Sequence, residues 1–379
     1  MKTRLDLKQW PIMSGVNENN SGDITWPLAG RRLPPMVSAG TRAAEEALQN
    51  SKVSDYIGQD NLGFAKSFIR ALSGLDDKFL EKEDLSFHTV ASKYLFWPLV
   101  AFSCSAGSRY WLGTTAPGFC AGRLWADKLN LFCQKVELKA ENDFLFPVDS
   151  LNKSLRLLIV NYPHGLSGKI APVEWLRDLC SYCQANDLRL VNWGALLNQK
   201  IIGNSLAVLS VDYPDLSWLE CYSLTETVDE SWSRVSVVGS KDFVSDLKVV
   251  SMLHDNPLFL PSASGLIAAV NEGRSELLTI RNTQAKKLKC LVRTMSACGL
   301  KLATMPECGN FSLWHLPKKI FGEDITGSKM FNQLMLDNLG IDGLAFKHYV
   351  AYSALELDGS TRQWTEKLAN ALRGCNPIY

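Results

Sequence analysis

The sequence predicts an α/β protein: a mostly parallel sheet covered by helices, followed by a smaller α+β domain. Two observations support this. Through the middle of the chain, short apolar runs alternate with stretches of helical periodicity, as parallel strands joined by crossover helices should. Roughly the last hundred residues instead place a long basic helix before a glycine turn and an alternating strand.

The central alternation can be followed element by element. The predicted strands share short apolar runs and are 155–160, 188–191, 206–211 and 235–238. The predicted helices share apolar side chains at three- and four-residue spacing and are 172–186, 241–252 and 279–298. We expect residues 51–280 to form the large domain and residues 281–379 the small domain. Residues 1–50 are expected to pack with the small domain.

Composition excludes several classes of partner. Forty basic and 39 acidic residues leave a formal net charge of +1, so no overall field attracts nucleic acid or an anionic membrane. The first residues carry no apolar run, and the most apolar stretch, 94–102, is too short to span a bilayer. We therefore expect a cytoplasmic protein.

The ten cysteines show no framework spacing. Cys180 and Cys183 form a CxxC pair, but it lies inside the predicted helix 172–186 and has no second pair nearby to complete a zinc site. We expect these thiols to pack in the core, and we expect no metal site.

Five short segments occur in a fixed order along the chain. They are YIGQDNL (56–62), NYPHGLSG (161–168), ECYSLTET (220–227), PECGNFSLW (306–314) and YVAYSA (349–354). Each resembles a motif of the class I/II aminotransferases, which are fold-type-I pyridoxal phosphate enzymes. The resemblance extends from near residue 23 to the C-terminus. It implies a large domain with a mostly parallel, seven-stranded sheet and a small α+β domain.

At the cofactor site implied by this resemblance, the sequence departs from the family. Glu226 stands where the family has its Schiff-base lysine, and a carboxylate has no amine that could bind an aldehyde. Other positions implied to contact the cofactor ring or the substrate carboxylate have also changed, and they are Ala116, Gly165, Trp193, Leu196 and Ala351. We expect these residues to line the pocket. We expect no covalent cofactor, with pyridoxal phosphate disfavoured.

The phosphate end of the implied site keeps the family's residue types. Ser92, Ser223 and Thr225 supply hydroxyls, and Arg234 supplies a guanidinium that can grip an anion. Tyr56 matches the tyrosine that, in the family, reaches the phosphate from the neighbouring subunit. The resemblance thus implies an anion cup and a two-fold homodimer.

Two ionisable groups are new at this site. Glu226 and His164 belong to loops that face each other in the family, and a carboxylate beside an imidazole can act as a general acid–base pair. The alternative for His164 is a turn histidine exposed to solvent. The alternative for Arg234 is an ion pair with Glu226 instead of a phosphate.

Three functional hypotheses follow. The main one is a repurposed biosynthetic enzyme that performs cofactor-independent acid–base chemistry on a small anionic, amino-acid-like metabolite. The second is a pseudoenzyme partner of an active aminotransferase. The third is a residual pyridoxal phosphate-dependent aminotransferase or lyase that binds the cofactor non-covalently. In each case we expect no nucleic-acid or membrane partner.

Overall fold

The structure of the protein is a computed structural model. It describes residues 26–27, 38–50, 56–57, 62–73, 75, 77–81, 85–91, 111–118, 126, 131–194, 196, 204–223, 234–251, 258–355, 357 and 361–379. The chain divides into two compact units. The larger unit comprises residues 34–165 and 169–281, and the smaller comprises residues 1–33, 166–168 and 282–379.

The larger unit is built on a seven-stranded sheet. The described strands of the chain are β1 (Trp26–Pro27), β2 (Tyr56–Ile57), β3 (Leu85–Ala91), β4 (Trp111–Ala116), β5 (Phe132–Glu137), β6 (Leu155–Val160), β7 (Arg189–Trp193), β8 (Trp218–Ser223), β9 (Arg234–Ser240), β10 (Leu258–Phe259), β11 (Phe311–His315), β12 (Lys319–Ile320), β13 (Glu323–Asp324), β14 (Ile341–Asp342), β15 (Leu344–Ala345) and β16 (Tyr349–Ser353). The order in the sheet is β3-β9-β8-β7-β6-β4-β5. Strand β9 is antiparallel to both neighbours, whereas β8, β7, β6, β4 and β5 pair in parallel. The predicted fold class is confirmed.

The described helices are α1 (Ser38–Asn50), α2 (Leu62–Ser73), α3 (Asp77–Leu80), α4 (Val173–Ala185), α5 (Leu206–Leu209), α6 (Lys241–Ser251), α7 (Leu260–Asn271), α8 (Arg274–Ala297), α9 (Ser328–Leu339) and α10 (Thr361–Ala371). The predicted helix 172–186 corresponds to α4, which Pro172 and Asn186 cap. The predicted helices 241–252 and 279–298 correspond to α6 and to most of α8. Helical periodicity therefore located these elements well.

One predicted strand is instead a helix. Residues 206–211 form α5 and a 3₁₀ turn. The Ser205 side chain accepts a hydrogen bond from the amide of Ala207, which caps the helix start. A short apolar run fits a buried strand and a buried helix equally well, so the prediction of a strand here was wrong.

Part of the N-terminal region lies in the larger unit. Helix α1 packs against α7, and the Ser38 amide and hydroxyl both donate to the carboxylate of Glu276 on α8, at 3.0 and 2.9 Å. Residues 34–50 therefore belong to the larger unit. The expectation from the sequence was that they would pack with the small domain. Strand β1 pairs in parallel with β14 inside the smaller unit.

The smaller unit has its own sheet and core. Strand β16 pairs antiparallel with β11 on one side and β15 on the other. Its largest fully buried side chains are Trp314, Tyr352 and Phe331, around which α8, α9 and α10 contribute aliphatic side chains. This architecture confirms the expected α+β character of the C-terminal region.

Two expected absences can be compared with the described residues. No described helix is long and apolar enough to cross a membrane. No group of three or more histidine, cysteine or acidic side chains in the described part of the chain is arranged to hold a metal ion. Cys180 and Cys183 are fully buried on α4, and burial raises the pKa of both thiols.

Candidate functional site

Several positions predicted for the site lie at the carboxyl ends of the parallel strands of the seven-stranded sheet. We call this side of the sheet the carboxyl edge. Strands β4, β6, β7 and β8 run in the same direction, so their carboxyl ends meet at the same edge. Ala116 ends β4, Trp193 ends β7 and Ser223 ends β8. Gly165 lies in the turn after β6. Open α/β sheets bind their ligands at this edge.

Strand β9 brings Arg234 to the same edge. Ser223 pairs with Val235, and Arg234 pairs with Ala91, the last residue of β3. Because β9 runs antiparallel to its neighbours, its first residue lies where theirs end. Ser223 is buried, with 2% of its surface exposed. The sheet register thus places the main chain of Arg234 next to that of Ser223, as an anion cup requires.

The remaining predicted site residues belong to other sheets or fall outside the described residues. Those outside the described residues are Ser92, Thr225 and Glu226. Tyr56 pairs with Phe259 in a separate two-stranded ladder, β2 with β10. Ala351 is fully buried in the smaller unit, between Leu313 and Leu344 of the flanking strands.

Trp193 is part of the hydrophobic core. Its side chain is 5% exposed and belongs to a cluster with Val191, Cys221 and Phe243. Leu196 is also buried, whereas Ala116 is half-buried. The indole thus packs among apolar groups, in an environment that would penalise the carboxylate that the family has at this position.

The turn after β6 is tied to the end of β7. We call residues 161–165 the 161–165 turn. The Asn161 side chain donates from Nδ2 to the Trp193 carbonyl and accepts at Oδ1 from the Gly165 amide, at 2.9 Å. A Cβ at position 165 would lie 3.1 Å from that same Oδ1. The turn therefore has little room for a side chain at Gly165.

His164 is fully buried, so the expectation of a solvent-exposed turn histidine is wrong. Its Nε2 lies 2.8 Å from the Pro117 carbonyl oxygen, and its ring stacks on Phe144 with centroids 5.8 Å apart. A carbonyl oxygen can only accept, so Nε2 carries the hydrogen. Burial lowers the pKa of His164 to about 4, which keeps the imidazole neutral near pH 7.

A buried polar centre at Glu220 was not predicted from the sequence. This residue lies in the middle of β8 and is fully buried. Its carboxylate accepts hydrogen bonds from five groups: Asn192 Nδ2 (3.0 Å), the Leu206 amide (2.9 Å), the Ala207 amide (3.1 Å), the Tyr222 hydroxyl (2.9 Å) and the Ser205 hydroxyl. The only local signal was a single charged residue inside an apolar strand.

Asn192 connects this centre to the 161–165 turn. Its Oδ1 accepts from the Tyr162 amide at 2.9 Å, and its Nδ2 donates to the Tyr162 carbonyl at 2.8 Å. Residues 160 and 192 are the last paired positions of β6 and β7. The asparagine amide thus extends the pairing of these strands beyond their ends.

The chain is similar in sequence to individual known proteins, although it matches no family model. An LL-diaminopimelate aminotransferase 2 of Trichormus variabilis is 25% identical over 211 residues, 54% of this chain and 52% of that protein. The LL-diaminopimelate aminotransferase of Methanocaldococcus jannaschii is 23% identical over 300 residues, 73% of this chain and 69% of that protein. The chain therefore spans about half the length of the first relative.

Solved structures resemble the chain over almost its whole length. A probable N-succinyldiaminopimelate aminotransferase from Thermus thermophilus has a TM-score of 0.75 at 15% identity, covering 92% of this chain and 93% of that one. An aspartate aminotransferase from Thermus thermophilus with maleate has a TM-score of 0.74 at 15% identity, covering 92% of each chain.

These relatives correct the main functional expectation. They are aminotransferases, which use pyridoxal phosphate. The predictions of cofactor-independent chemistry, of a pseudoenzyme and of a disfavoured pyridoxal phosphate are therefore wrong. The structure gives a physical reason against the expected acid–base pair of Glu226 and His164. A buried His164 with a pKa of about 4 is a poor partner for acid–base chemistry near neutral pH.

The sheet order, the strand directions and the likeness to solved structures over 92% of the chain agree. The sequence relatives belong to the same group of enzymes. This protein therefore has the fold of the fold-type-I aminotransferases.

Proposed function

We propose that the protein is a pyridoxal phosphate-dependent aminotransferase that acts on an amino acid at the carboxyl edge of its seven-stranded sheet. One observation carries this proposal: the sheet register brings Ser223, Arg234 and the 161–165 turn to that single edge. When bound, the cofactor supplies an electron-withdrawing pyridine ring and a group that carries the transferred nitrogen. The chain supplies the binding contacts.

The phosphate end of the site fits this cofactor. Ser223 places a hydroxyl at the end of β8, and the main chain of Arg234 follows on the adjacent strand. A guanidinium and a hydroxyl are suitable donors to a phosphate dianion. We propose that Ser92 and Thr225 complete this cup, since in the sequence Ser92 directly follows the last residue of β3 and Thr225 lies two residues after the last residue of β8.

The residues that the resemblance implies to contact the cofactor ring suit the cofactor less well than those at its phosphate end. This difference determines how the cofactor would be held. Glu226 offers no amine, and Trp193 offers no carboxylate for the ring nitrogen. At position 226 the cofactor would therefore be held without a covalent bond. We propose that the phosphate contacts supply most of the affinity. This is the third of the hypotheses that the sequence supports.

The substrate class can be narrowed by the relatives. Two of them are named for LL-diaminopimelate, so a diamino dicarboxylic acid is the first substrate to test. Ala351 stands where the resemblance implies an arginine for the substrate carboxylate. A methyl group makes no ion pair, so we expect a high KM for the amino-acid substrate.

We propose a two-fold homodimer as the active form. The resemblance gives Tyr56 a role only when it reaches the phosphate of a neighbouring subunit, and two-fold dimers are the commonest assembly. Sedimentation at micromolar concentration should show a dimer. A monomer that still binds the cofactor and transfers nitrogen would contradict this part of the proposal.

The decisive experiment measures cofactor binding and amino transfer together. The protein is titrated with pyridoxal phosphate and with pyridoxamine phosphate while absorbance is recorded, and LL-diaminopimelate is then supplied with a 2-oxo acid acceptor. We expect saturable binding of both cofactor forms and slow transfer of the amino group. Borohydride reduction followed by peptide mapping shows whether any lysine binds the cofactor covalently.

Arg234→Ala provides the matched test of the cup. Losing one charge-assisted contact should weaken cofactor binding by roughly one to two orders of magnitude. Arg156→Ala is the control, because Arg156 is an exposed arginine near the start of β6, at the opposite edge of the same sheet. Equal affinity in the two variants, or no cofactor binding by the unmodified protein, would overturn the proposed function.

A further inference from the structure

The carboxylate of Glu220 fixes which way the Asn192 side-chain amide points, together with the main-chain amide and carbonyl of Tyr162. A carboxylate oxygen that already receives the Leu206 amide can meet Asn192 only through a donor, so the Nδ2 group must face Glu220. The Asn192 Oδ1 then faces the Tyr162 amide. With the amide turned the other way, two acceptors would face each other at Glu220, and two donors would face each other at Tyr162.

This orientation matters because Asn192 holds both main-chain groups of Tyr162. Tyr162 lies in the 161–165 turn, beside Asn161 and its bonds to Gly165 and Trp193. The turn follows β6 at the carboxyl edge of the sheet. All of these groups are buried or half-buried, so water does not easily replace a lost hydrogen bond.

We propose that Glu220 is a positioning residue: through Asn192 it holds the main chain of the 161–165 turn at the edge that receives the cofactor. Glu220 does not touch the cofactor. Its carboxylate joins the start of α5 to β7 and β8, and Asn192 transmits that fixed position to Tyr162. The link to the cofactor rests on the proposed function, whereas the link to the turn does not.

The test is a cycle of two isosteric substitutions. Asn192→Asp keeps an acceptor for the Tyr162 amide, but it places a carboxylate oxygen against both Glu220 and the Tyr162 carbonyl. We expect repulsion between the two acids to loosen the turn. Glu220→Gln alone should have a moderate effect: its new NH₂ group can face the Ser205 and Tyr222 hydroxyls, which are able to accept, but the hydrogen bond from the Ala207 amide is lost. In the double variant, the new amide at position 220 can donate to the new carboxylate at position 192 and relieve the repulsion.

Two readouts are measured for each protein. Hydrogen exchange of peptides that cover 161–165 should be at least about tenfold faster in Asn192→Asp, and the cofactor Kd should rise by about tenfold. In the double variant both should recover by at least about threefold toward the Glu220→Gln values, and the remaining loss reflects the missing hydrogen bond to the Tyr162 carbonyl. Recovery of folding in the double variant would count as the same result if Asn192→Asp alone fails to fold.

Tyr222→Phe is the matched structural control. It removes one donor from the Glu220 carboxylate but leaves the bond to Asn192 in place. We expect a lower melting temperature with unchanged exchange in the 161–165 turn and unchanged cofactor Kd. The proposal is overturned if Tyr222→Phe gives the same exchange and Kd as Asn192→Asp, if Glu220→Gln does not rescue Asn192→Asp, or if neither the single Asn192→Asp variant nor the double variant folds. Absence of cofactor binding in the unmodified protein would overturn the proposed function, while the exchange readout would still test Glu220.

Discussion

The imidazole of His164 is joined to the carbonyl oxygen of Pro117 by a hydrogen bond of 2.8 Å. This bond connects the 161–165 turn to the residues that follow β4, across 47 positions of sequence. Together with the bonds from Asn161 to the Trp193 carbonyl and from Asn192 to Tyr162, it ties this turn to the neighbouring strands at the carboxyl edge.

The first prediction concerns the pH dependence that His164 gives to stability. Its pKa is about 4 in the folded protein and about 6.5 in an unfolded chain, so the unfolded state binds more protons between these values. The free energy of unfolding therefore falls as the pH drops through this window. Between pH 7 and pH 5 we expect a loss of roughly 2 kcal/mol from this residue.

His164→Gln should remove this component, since glutamine does not titrate and its Nε2 can still donate to Pro117. Urea denaturation at pH 5 and pH 7 measures the difference. His348→Gln is the control because His348 is exposed. If the two variants keep the same pH dependence as the unmodified protein, His164 does not contribute in this way.

The second prediction concerns Gly168, which has a φ of +67°. A Cβ there would lie 2.3 Å from the Cys308 carbonyl oxygen, and the Gly168 carbonyl accepts from the amides of Glu307 and Cys308. Gly168→Ala should therefore lower the free energy of unfolding by about 2–4 kcal/mol, through strain and overpacking together.

Gly322→Ala separates these two causes. Gly322 has a φ of +86°, but no other group of the described residues lies within 4 Å of the position that a Cβ would take there. It should thus show only the strain, about 1–2 kcal/mol. Thermal unfolding of both variants provides the comparison. Equal losses would show that the contact with Cys308 relaxes without cost.

The third prediction concerns the core role of Trp193. Trp193→Asp restores the family's residue type at this position, but it would bury an unpaired carboxylate in the cluster with Val191 and Phe243. We expect a loss of about 3–5 kcal/mol or more, and no gain in transaminase activity. Trp193→Phe keeps an aromatic ring and should cost distinctly less. A Trp193→Asp protein as stable as Trp193→Phe would show that the indole is not needed for packing.

The fourth prediction concerns thiol reactivity. Cys180, Cys183 and Cys221 are buried, and burial raises the pKa of each thiol, so few thiolates are present at pH 8. In the native protein they should resist alkylation, while the partly exposed cysteines, which are Cys133, Cys290, Cys298 and Cys308, react before them. Mass spectrometry of alkylated peptides before and after denaturation measures this order. Early reaction at Cys180 or Cys183 would instead favour a redox role for the CxxC pair.

The sequence predicts an element well when the contacts that determine its structure are between residues close together in the sequence. Strand β6 was predicted with its observed bounds because an apolar run and a turn lie next to each other in the chain. The run at 206–211 was assigned wrongly because Glu220, whose carboxylate holds the start of α5, lies far along the sequence. His164 is similar, since Phe144 and Pro117, which bury and bond its ring, are distant in sequence. Motif order predicted the fold, whereas the chemistry of single positions depended on such non-local contacts.

The reversed direction of β9 has a consequence for how this scaffold can change. Ser223 and Arg234 lie at the same edge, so the connection between β8 and β9 leaves and re-enters the sheet at neighbouring points. Its two anchors are held by strand pairing on either side. We therefore expect substitutions at Thr225 and Glu226, which belong to this connection in the sequence, to leave the pairing of the seven strands in place.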